Sequence, residues 1–221
     1  MAITSPRRYQ PFCPMGAALN AVGDRWALLI VRDLMLGPRR YSDLLRGLGG
    51  IGTDILAARL RGLEDAGLVT RRRGDGAQSY ELTTAGRALR PVLVELARWG
   101  ADRLEFPDDP SEVPPRVPLT ALLLDAPQLP EAADGTFDIR VGDEVITLEV
   151  VAGRIAFAPE AAPMTTLELT MAGLRSLVSG SSASQVAEDG DVSIRGDQRA
   201  ATALLDGLAG PTLLQGFRRR H

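Results

Sequence analysis

The chain has 221 residues, enough for one or two domains that each bury a hydrophobic core. Hydrophobic residues make up 45% and charged residues 24%, as in ordinary soluble proteins. No apolar run approaches the roughly 20 residues of a membrane span, and the first residues lack the apolar segment of a secretory signal, so we expect a cytoplasmic protein without membrane contact. One cysteine, Cys13, excludes an internal disulfide framework. One histidine, His221, argues against a histidine-based metal site or a catalytic triad.

Charge is distributed unevenly between the two halves of the chain. Residues 1–105 hold 16 arginines and 11 acidic residues, a net charge of +5, whereas residues 106–221 hold 9 and 17, a net charge of −8. A basic half joined to an acidic half indicates that only the first meets a polyanion such as DNA. Every basic residue is arginine, which either reflects genomic base composition or serves forked contacts to phosphate and guanine.

Short helical patterns separated by glycine and proline fill the first 50 residues. Residues 1–12 are predicted to form a solvated arm. Trp26 is expected to anchor the core of the second helix, and the glycines of 47–50 form a turn after the third. The predicted helices are residues 15–22, 26–35 and 41–45.

The stretch from 51 to 82 organises the rest of the chain. Thr53 is predicted as the N-cap of a helix and Gly67 as its stop. Strands at 68–70 and 79–82 flank a run of arginines and the turn residues 74–76. A helix followed at once by a basic hairpin is the outline of a winged helix-turn-helix, in which the helix enters the DNA major groove and the wing lies on the backbone. The core face of this helix carries Leu56, Leu60 and Leu63.

The predicted DNA contacts lie on the opposite helix face, before the helix-turn-helix and in the wing. Arg59 borders the core face and is expected either to contact DNA or to pair with Glu64 or Asp65. The alternative for the wing arginines is a solvated charge run. Because the helix has few amides, we expect phosphate contacts to supply most of the affinity. The full set is Arg39, Arg40, Thr53, Asp54, Ala57, Ala58, Arg59, Arg61, Arg72, Arg73 and Gln78.

A long helix is predicted from about residue 85 to 104, with an apolar stripe on one face. Such a stripe either pairs with a second copy of the chain, as two-fold DNA recognition requires, or packs on the second half of the same chain. We expect a homodimer. The stripe consists of Leu89, Val92, Leu93, Leu96 and Trp99.

Five segments of the first half carry a family resemblance. They are Cys13-Pro14, GDRWALLI at 23–30, GPRRYSDL at 37–44, LAARLRGLEDAGLV at 56–69 and YELTTAG at 80–86. In this order they resemble the HxlR-type transcriptional regulators over residues 12 to 104, and the resemblance implies a dimeric winged-helix regulator. Gly52 stands where this family usually has a serine, and the wing is shorter than usual. In some members a cysteine at the position of Cys13 senses oxidants or electrophiles; the alternative is a packed structural thiol.

Residues 106–118 are predicted to be a linker rich in proline and acid, dividing a first domain at 1–105 from a second at 119–221. The second half combines strands and helices, so we expect an α+β domain with one face of its sheet covered. The predicted strands are 136–141, 145–151, 154–158, 167–171 and 192–195, and the predicted helices are 119–124, 172–178, 183–188 and 196–208.

This second half resembles the sterol carrier protein type 2 fold, through TFDI at 136–139, VITL at 145–148, LELT at 167–170 and GDVSIRGD at 190–197. The resemblance implies that an apolar small molecule binds between sheet and helices. The alternative for each lining candidate is a place in an ordinary core. The candidates are Phe137, Phe157, Met164, Leu174 and Leu177.

Together these features predict a DNA-binding regulator controlled by a small apolar effector. The rival hypothesis is a carrier of lipids or other hydrophobic molecules whose first half binds a partner other than DNA. We do not expect an enzyme, since the only candidate catalytic groups are the carboxylate pairs Asp143-Glu144 and Glu188-Asp189. No cofactor or metal is expected either.

Overall fold

The computed structural model describes residues 9, 12–73, 78–101, 103, 113–158 and 160–209, apart from the side chain of Arg73. These residues fall into two compact units. One comprises the described parts of Met1–Leu34 and Pro38–Ala88, and the other those of Met35–Gly37 and Leu89–His221. None of the described helices is both long and apolar enough to cross a bilayer.

The first unit is a winged helix-turn-helix. Its three strands form an antiparallel sheet in the order β1-β3-β2, in which Arg39 of β1 lies opposite Tyr80 of β3. Leucine and isoleucine side chains from α2, α3 and α4 fill its core and are almost completely buried. The elements are α1 (Pro14–Val22), α2 (Ala27–Met35), β1 (Arg39–Arg40), α3 (Tyr41–Gly47), α4 (Thr53–Asp65), β2 (Val69–Arg73), β3 (Gln78–Leu82) and α5 (Thr84–Arg87).

Two local predictions in this unit need correction. Thr53 is the first helical residue of α4 and not its N-cap, which is Gly52. Trp26 precedes α2 and is half exposed, so it is not a fully buried anchor. Its backbone N–H donates to Asp24 Oδ1 at 3.1 Å, and the Arg25 guanidinium lies 5.3 Å from the centre of its ring. Gly67 adopts a φ of +69° after the helix end, as the predicted stop requires.

The predicted long helix from 85 to 104 is two helices, α5 and α6 (Arg90–Ala101). Pro91 explains the break. It has no N–H to donate to the carbonyl of Arg87, and its ring would clash with that carbonyl in a continuous helix. Residues 102 and 104, at the far end of the predicted helix, lie outside the described residues.

The second unit is built on a five-stranded sheet in the order β6-β5-β4-β7-β8. Strands β4 and β7 run parallel, and every other neighbouring pair is antiparallel. The elements beyond α6 are α7 (Arg116–Leu124), a 3₁₀ helix (Glu131–Ala133), β4 (Gly135–Val141), β5 (Glu144–Val151), β6 (Arg154–Phe157), β7 (Thr165–Leu169), α8 (Met171–Ser179), α9 (Ala183–Glu188), β8 (Val192–Arg195) and α10 (Gln198–Leu208).

Alternation along the strands separates the two faces of this sheet. Phe137, Ile139 and Val141 of β4 are buried, and helices α8, α9 and α10 contact the strands β7 and β8. The residues between them in the strand, such as the exposed Arg140, lie on the opposite face, as the two-residue period of a strand requires. The predicted mixture of strands and helices is therefore confirmed.

Element ends differ from prediction where a cap or a neighbouring contact decides them. The predicted strand 167–171 is β7, which ends at Leu169 because Thr170 caps the next helix: its Oγ1 accepts from the Gly173 N–H at 3.0 Å. Helix α7 begins at Arg116, three residues before the predicted start and inside the predicted linker. Most of that linker, residues 106–112, lies outside the described residues, as do most of the predicted arm at 1–12 and the wing turn at 74–77.

Candidate nucleic-acid interface

Helix α4 buries one face and exposes the other. Leu56, Leu60 and Leu63 are at most 1% exposed, which fixes the rotation of the helix against the core. The predicted contact residues Thr53, Asp54, Ala58 and Arg61 are exposed, and Ala57 is half buried. One continuous outer face of α4 is therefore available to a groove.

The start of α4 is fixed by α3 and has no side-chain cap. The Tyr41 hydroxyl donates to the carbonyl oxygen of Thr53 at 2.6 Å, which joins the two helices of the helix-turn-helix. Gly52 has no side chain to accept the first backbone N–H groups. An uncapped helix N-terminus attracts anions such as phosphate.

The wing is tied to α4 by an ion pair. Arg71 on β2 donates to both carboxylate oxygens of Glu64, at 2.6 and 3.0 Å. Arg72 lies 3.8 Å from the carboxylate of Glu81 on the neighbouring strand. Gln78 is exposed at the start of β3. The side chain of Arg73 lies outside the described residues.

The other predicted arginines divide between surface and structure. Arg40 is exposed at the start of α3. Arg39 is half buried, and its guanidinium lies against Gly47 of α3. A Cβ added at Gly47 would lie 3.7 Å from Arg39 Nη2 and 3.3 Å from Asp33 Oδ2. Arg59 Nε lies 2.8 Å from Asp24 Oδ1. The prediction that Arg59 pairs with Glu64 or Asp65 is therefore wrong. Its partner is Asp24, more than 30 residues earlier in the chain.

The charge available to DNA is smaller than the number of arginines indicates. Arg59, Arg71 and Arg72 each face an acidic residue at 3.8 Å or less. Arg40 and Arg61 form no ion pair with any residue in the described ranges. Among the predicted contact arginines whose side chains the structure describes, these two are available to phosphate.

Three residues of this surface were not predicted. Ile55 is 46% exposed on α4, although an isoleucine at that position looks like a core residue in the sequence. An exposed apolar side chain next to Ala58 can contact a thymine methyl group. Tyr41 and Arg71 act by holding α4 and the wing in position. The i, i+4, i+7 leucine pattern was the only signal that Ile55 faces outward.

The predicted dimer stripe splits between two faces of α6. Leu93 is 8% exposed and Leu89 is half buried, so both pack inside the single chain. Val92, Leu96 and Trp99 are 51%, 46% and 63% exposed. The Arg103 guanidinium lies 3.9 Å from the centre of the Trp99 ring and leaves it accessible. The outward set therefore follows an i, i+4, i+7 spacing.

The predicted ligand residues are mostly core. Phe137, Leu174 and Leu177 are at most 1% exposed between the sheet and its helices, Phe157 is half buried and Met164 is 79% exposed. Two clefts on the described surface are lined by other residues.

Cys13 is not packed in a core as the sequence indicated. Cys13 caps α1: its Sγ accepts from the Gly16 N–H at 3.4 Å. The side chain is exposed, so the prediction of a packed structural thiol is wrong.

Glu144, one of the carboxylates considered as a catalytic group, pairs with Arg116, and both side chains are nearly buried. This carboxylate stabilises the fold and is not a free catalytic group.

Comparison with known proteins identifies the first half of the chain. The family model for HxlR-like helix-turn-helix proteins matches residues 21–107. The HTH-type transcriptional regulator YodB of Bacillus subtilis is 36% identical over 101 residues, which are 44% of this chain and 89% of YodB. The solved structure of reduced YodB is 34% identical and covers 43% of this chain and 98% of YodB, with a TM-score of 0.38.

A longer relative shows how much of such proteins the match spans. An uncharacterized HTH-type transcriptional regulator of Mycobacterium tuberculosis is 41% identical over 99 residues, which are 43% of this chain and 62% of that protein. The match therefore spans less than two thirds of the mycobacterial relative. Since the match to YodB covers most of that regulator, this chain belongs to the HxlR-like helix-turn-helix family.

Proposed function

We propose that this chain is a dimeric transcriptional regulator that binds duplex DNA through α4 and the wing. The observation that carries the proposal is the outer face of α4, which begins at an uncapped N-terminus and includes Arg61, a side chain with no ion-pair partner among the residues that the structure describes. The names of the relatives, which are transcriptional regulators, support the same function. The basic net charge of residues 1–105 supports binding to a polyanion.

In this proposal α4 lies in the major groove and the wing lies on the adjacent backbone. Arg40, Arg61 and the first N–H groups of α4 contact phosphates. Ile55 and Ala58 contact thymine methyl groups, and Asp54 accepts a hydrogen bond from a cytosine amino group. Few side chains on α4 read bases, so phosphate contacts supply most of the affinity and the binding depends strongly on salt.

The test is fluorescence anisotropy of the full chain with a labelled duplex pool of random sequence, at several salt concentrations. Arg61→Gln should make the slope of log K against log salt less negative by about 0.9, the loss of one phosphate contact. Arg175→Gln is the matched control, because Arg175 is an exposed arginine on α8 in the other unit. Binding without salt dependence, or equal effects of the two substitutions, would contradict the proposal.

The dimer is proposed to form through the outward face of α6. Val92, Leu96 and Trp99 are apolar and exposed, and monomeric proteins seldom leave large contiguous apolar patches uncovered. A two-fold dimer would place two copies of α4 on two half-sites one helical turn apart.

The second half is proposed to belong to the sterol carrier protein type 2 fold and to bind an apolar effector. The five-stranded sheet with helices on one face supports this proposal. Because Phe137, Leu174 and Leu177 are fully buried, an apolar molecule must separate the helices from the sheet in order to enter.

Native mass spectrometry before and after organic extraction tests this part of the proposal, with added palmitate as the probe. A mass increase that extraction removes is the expected result. If neither the purified protein nor the palmitate-treated protein is heavier before extraction than after it, the proposal of an apolar effector is contradicted. The anisotropy experiment would still decide DNA binding independently.

A further inference from the structure

A cleft of about 340 Å³ lies in the second unit, between the start of α6, the segment after α7 and the turn between β5 and β6. Its volume is within the range of small-molecule sites. Two arginines, Arg90 and Arg154, line it, and its lining contains no acidic residue. Pro127 and Ile155 supply apolar wall. The cleft therefore combines two positive charges with a small hydrophobic surface.

Arg90 is held in place by the backbone. Its Nε and Nη2 donate to the carbonyl oxygen of Leu124, at 3.0 and 2.8 Å, at the C-terminal end of α7. A carbonyl oxygen fixes the orientation of a guanidinium without cancelling its charge. The Nη1 of Arg90 forms no hydrogen bond or ion pair with the residues that the structure describes, and is ready to donate to a ligand.

Arg154 has no acidic partner among the described residues. It is exposed at the first position of β6 and forms no ion pair within the described part of the chain. Two acidic residues that adjoin the cleft lining are already engaged. Asp134 accepts the N–H groups of Ala152 and Gly153 at 2.9 and 3.0 Å, and Asp125 pairs with Arg98.

The wall beside Arg154 has little freedom to move. Gly153 has a φ of +70°, and a Cβ there would lie 2.1 Å from the carbonyl oxygen of Leu129, so only glycine fits. Its own carbonyl accepts from the Leu129 N–H at 2.9 Å, and the Gln128 side chain donates to the Ala152 carbonyl. These contacts fix the turn against the opposite wall of the cleft.

We propose that this cleft binds a small molecule with a carboxylate or phosphate group next to a compact apolar body. The oxyanion lies between Arg154 and the Nη1 of Arg90, and the apolar part lies on Pro127 and Ile155. Arginine suits this role because its planar fork donates paired hydrogen bonds to carboxylate and phosphate oxygens. The cleft is separate from the sterol-carrier core, so the proposal does not depend on an apolar effector or on DNA binding.

The experiment is isothermal titration of the full chain with benzoate, phenyl phosphate and benzamide at constant ionic strength in a buffer without carboxylate or phosphate. Benzamide has nearly the shape of benzoate but no charge. We expect at least one of the two anions to bind saturably. Benzamide should bind at least about tenfold more weakly than that anion, the usual effect of losing a charge-assisted contact. The stronger anion identifies the preferred head group.

Arg154→Gln should weaken binding of that anion by about tenfold or more, while Arg175→Gln should leave it unchanged. Arg154 is exposed, so its loss should not affect folding; an unchanged melting temperature verifies this. Equal binding of anion and benzamide would overturn the proposal. So would an undiminished affinity of Arg154→Gln, or no saturable binding of either anion at millimolar concentration.

Discussion

Arg71 in the wing and Glu64 near the end of α4 form a two-point ion pair, with Nε–Oε1 at 2.6 Å and Nη2–Oε2 at 3.0 Å. The hydrogen bond to Glu64 and its negative charge raise the pKa of Arg71 above its ordinary value. The pair joins the wing to the helix that we propose enters the groove. It also places one acidic charge beside the expected path of the DNA backbone.

Replacing Glu64 by glutamine should tighten DNA binding severalfold at low salt. The substitution removes the acidic charge and frees Arg71 for a phosphate, so the slope of log K against log salt should become steeper by about 0.9. Anisotropy titrations measure both quantities. Glu188→Gln, on the exposed surface of α9, removes the same charge elsewhere and should change neither. Weaker binding of Glu64→Gln would show that positioning the wing matters more than charge.

Gly52→Ser should stabilise the protein by a few tenths of a kcal/mol, because a serine at the N-cap accepts a backbone N–H that glycine leaves free. Space is available: a Cβ at Gly52 would meet only Ile55 Cδ1, at 3.9 Å. Gly50→Ser is the matched control, since Gly50 has a φ of +79° and serine there should cost about 1 kcal/mol. Urea unfolding compares the two. The same sign for both substitutions would contradict the assignment of the cap.

Glu144→Gln should destabilise the second unit by about 3 kcal/mol, since it removes the negative charge that pairs with the nearly buried guanidinium of Arg116. Replacing both Arg116 and Glu144 by methionine should cost less than the single change, because both charges of this pair are then removed together. Chemical denaturation measures the difference.

The exposed pair Arg195 and Glu168, with 3.6 Å between the charged groups, is the comparison for that prediction. Glu168→Gln should change the free energy of unfolding by less than about 0.5 kcal/mol. If Glu144→Gln were as mild as this, the buried pair would not be important for the stability of the fold.

Leu96→Arg should convert the proposed dimer to a monomer, because it places a charge in the centre of the exposed apolar face of α6. Light scattering after size exclusion measures the mass. Val145→Arg, at a comparably exposed valine on β5, should leave the mass unchanged. A monomeric wild-type protein, or a dimer that survives Leu96→Arg, would move the interface away from α6.

Much of the candidate interface was predictable because local sequence determines it. The leucine spacing of α4 fixes which face is buried, so the exposure of Thr53, Asp54, Ala58 and Arg61 followed from periodicity alone. The strands and helices of the second half were located to within a few residues for the same reason. The break before α6 has a local cause too, because Pro91 is the second residue of that helix.

The partners of charged residues were decided only by the tertiary structure. Arg59 pairs with Asp24, Arg71 with Glu64 and Arg116 with Glu144, and each pair joins different elements. Sequence spacing indicates which residues share a helix face, but the distance between two side chains on separate elements depends on how those elements pack.

The sequence by itself determined the helix-turn-helix outline, the basic first half and the membership of the family, since these rest on periodicity, composition and ordered motifs. Only the tertiary structure decided which arginines remain free for phosphate and which α6 side chains face outward. It also decided that Arg90 and Arg154 line one cleft. These features depend on contacts between residues far apart in the chain, and packing of the folded elements is what creates such contacts.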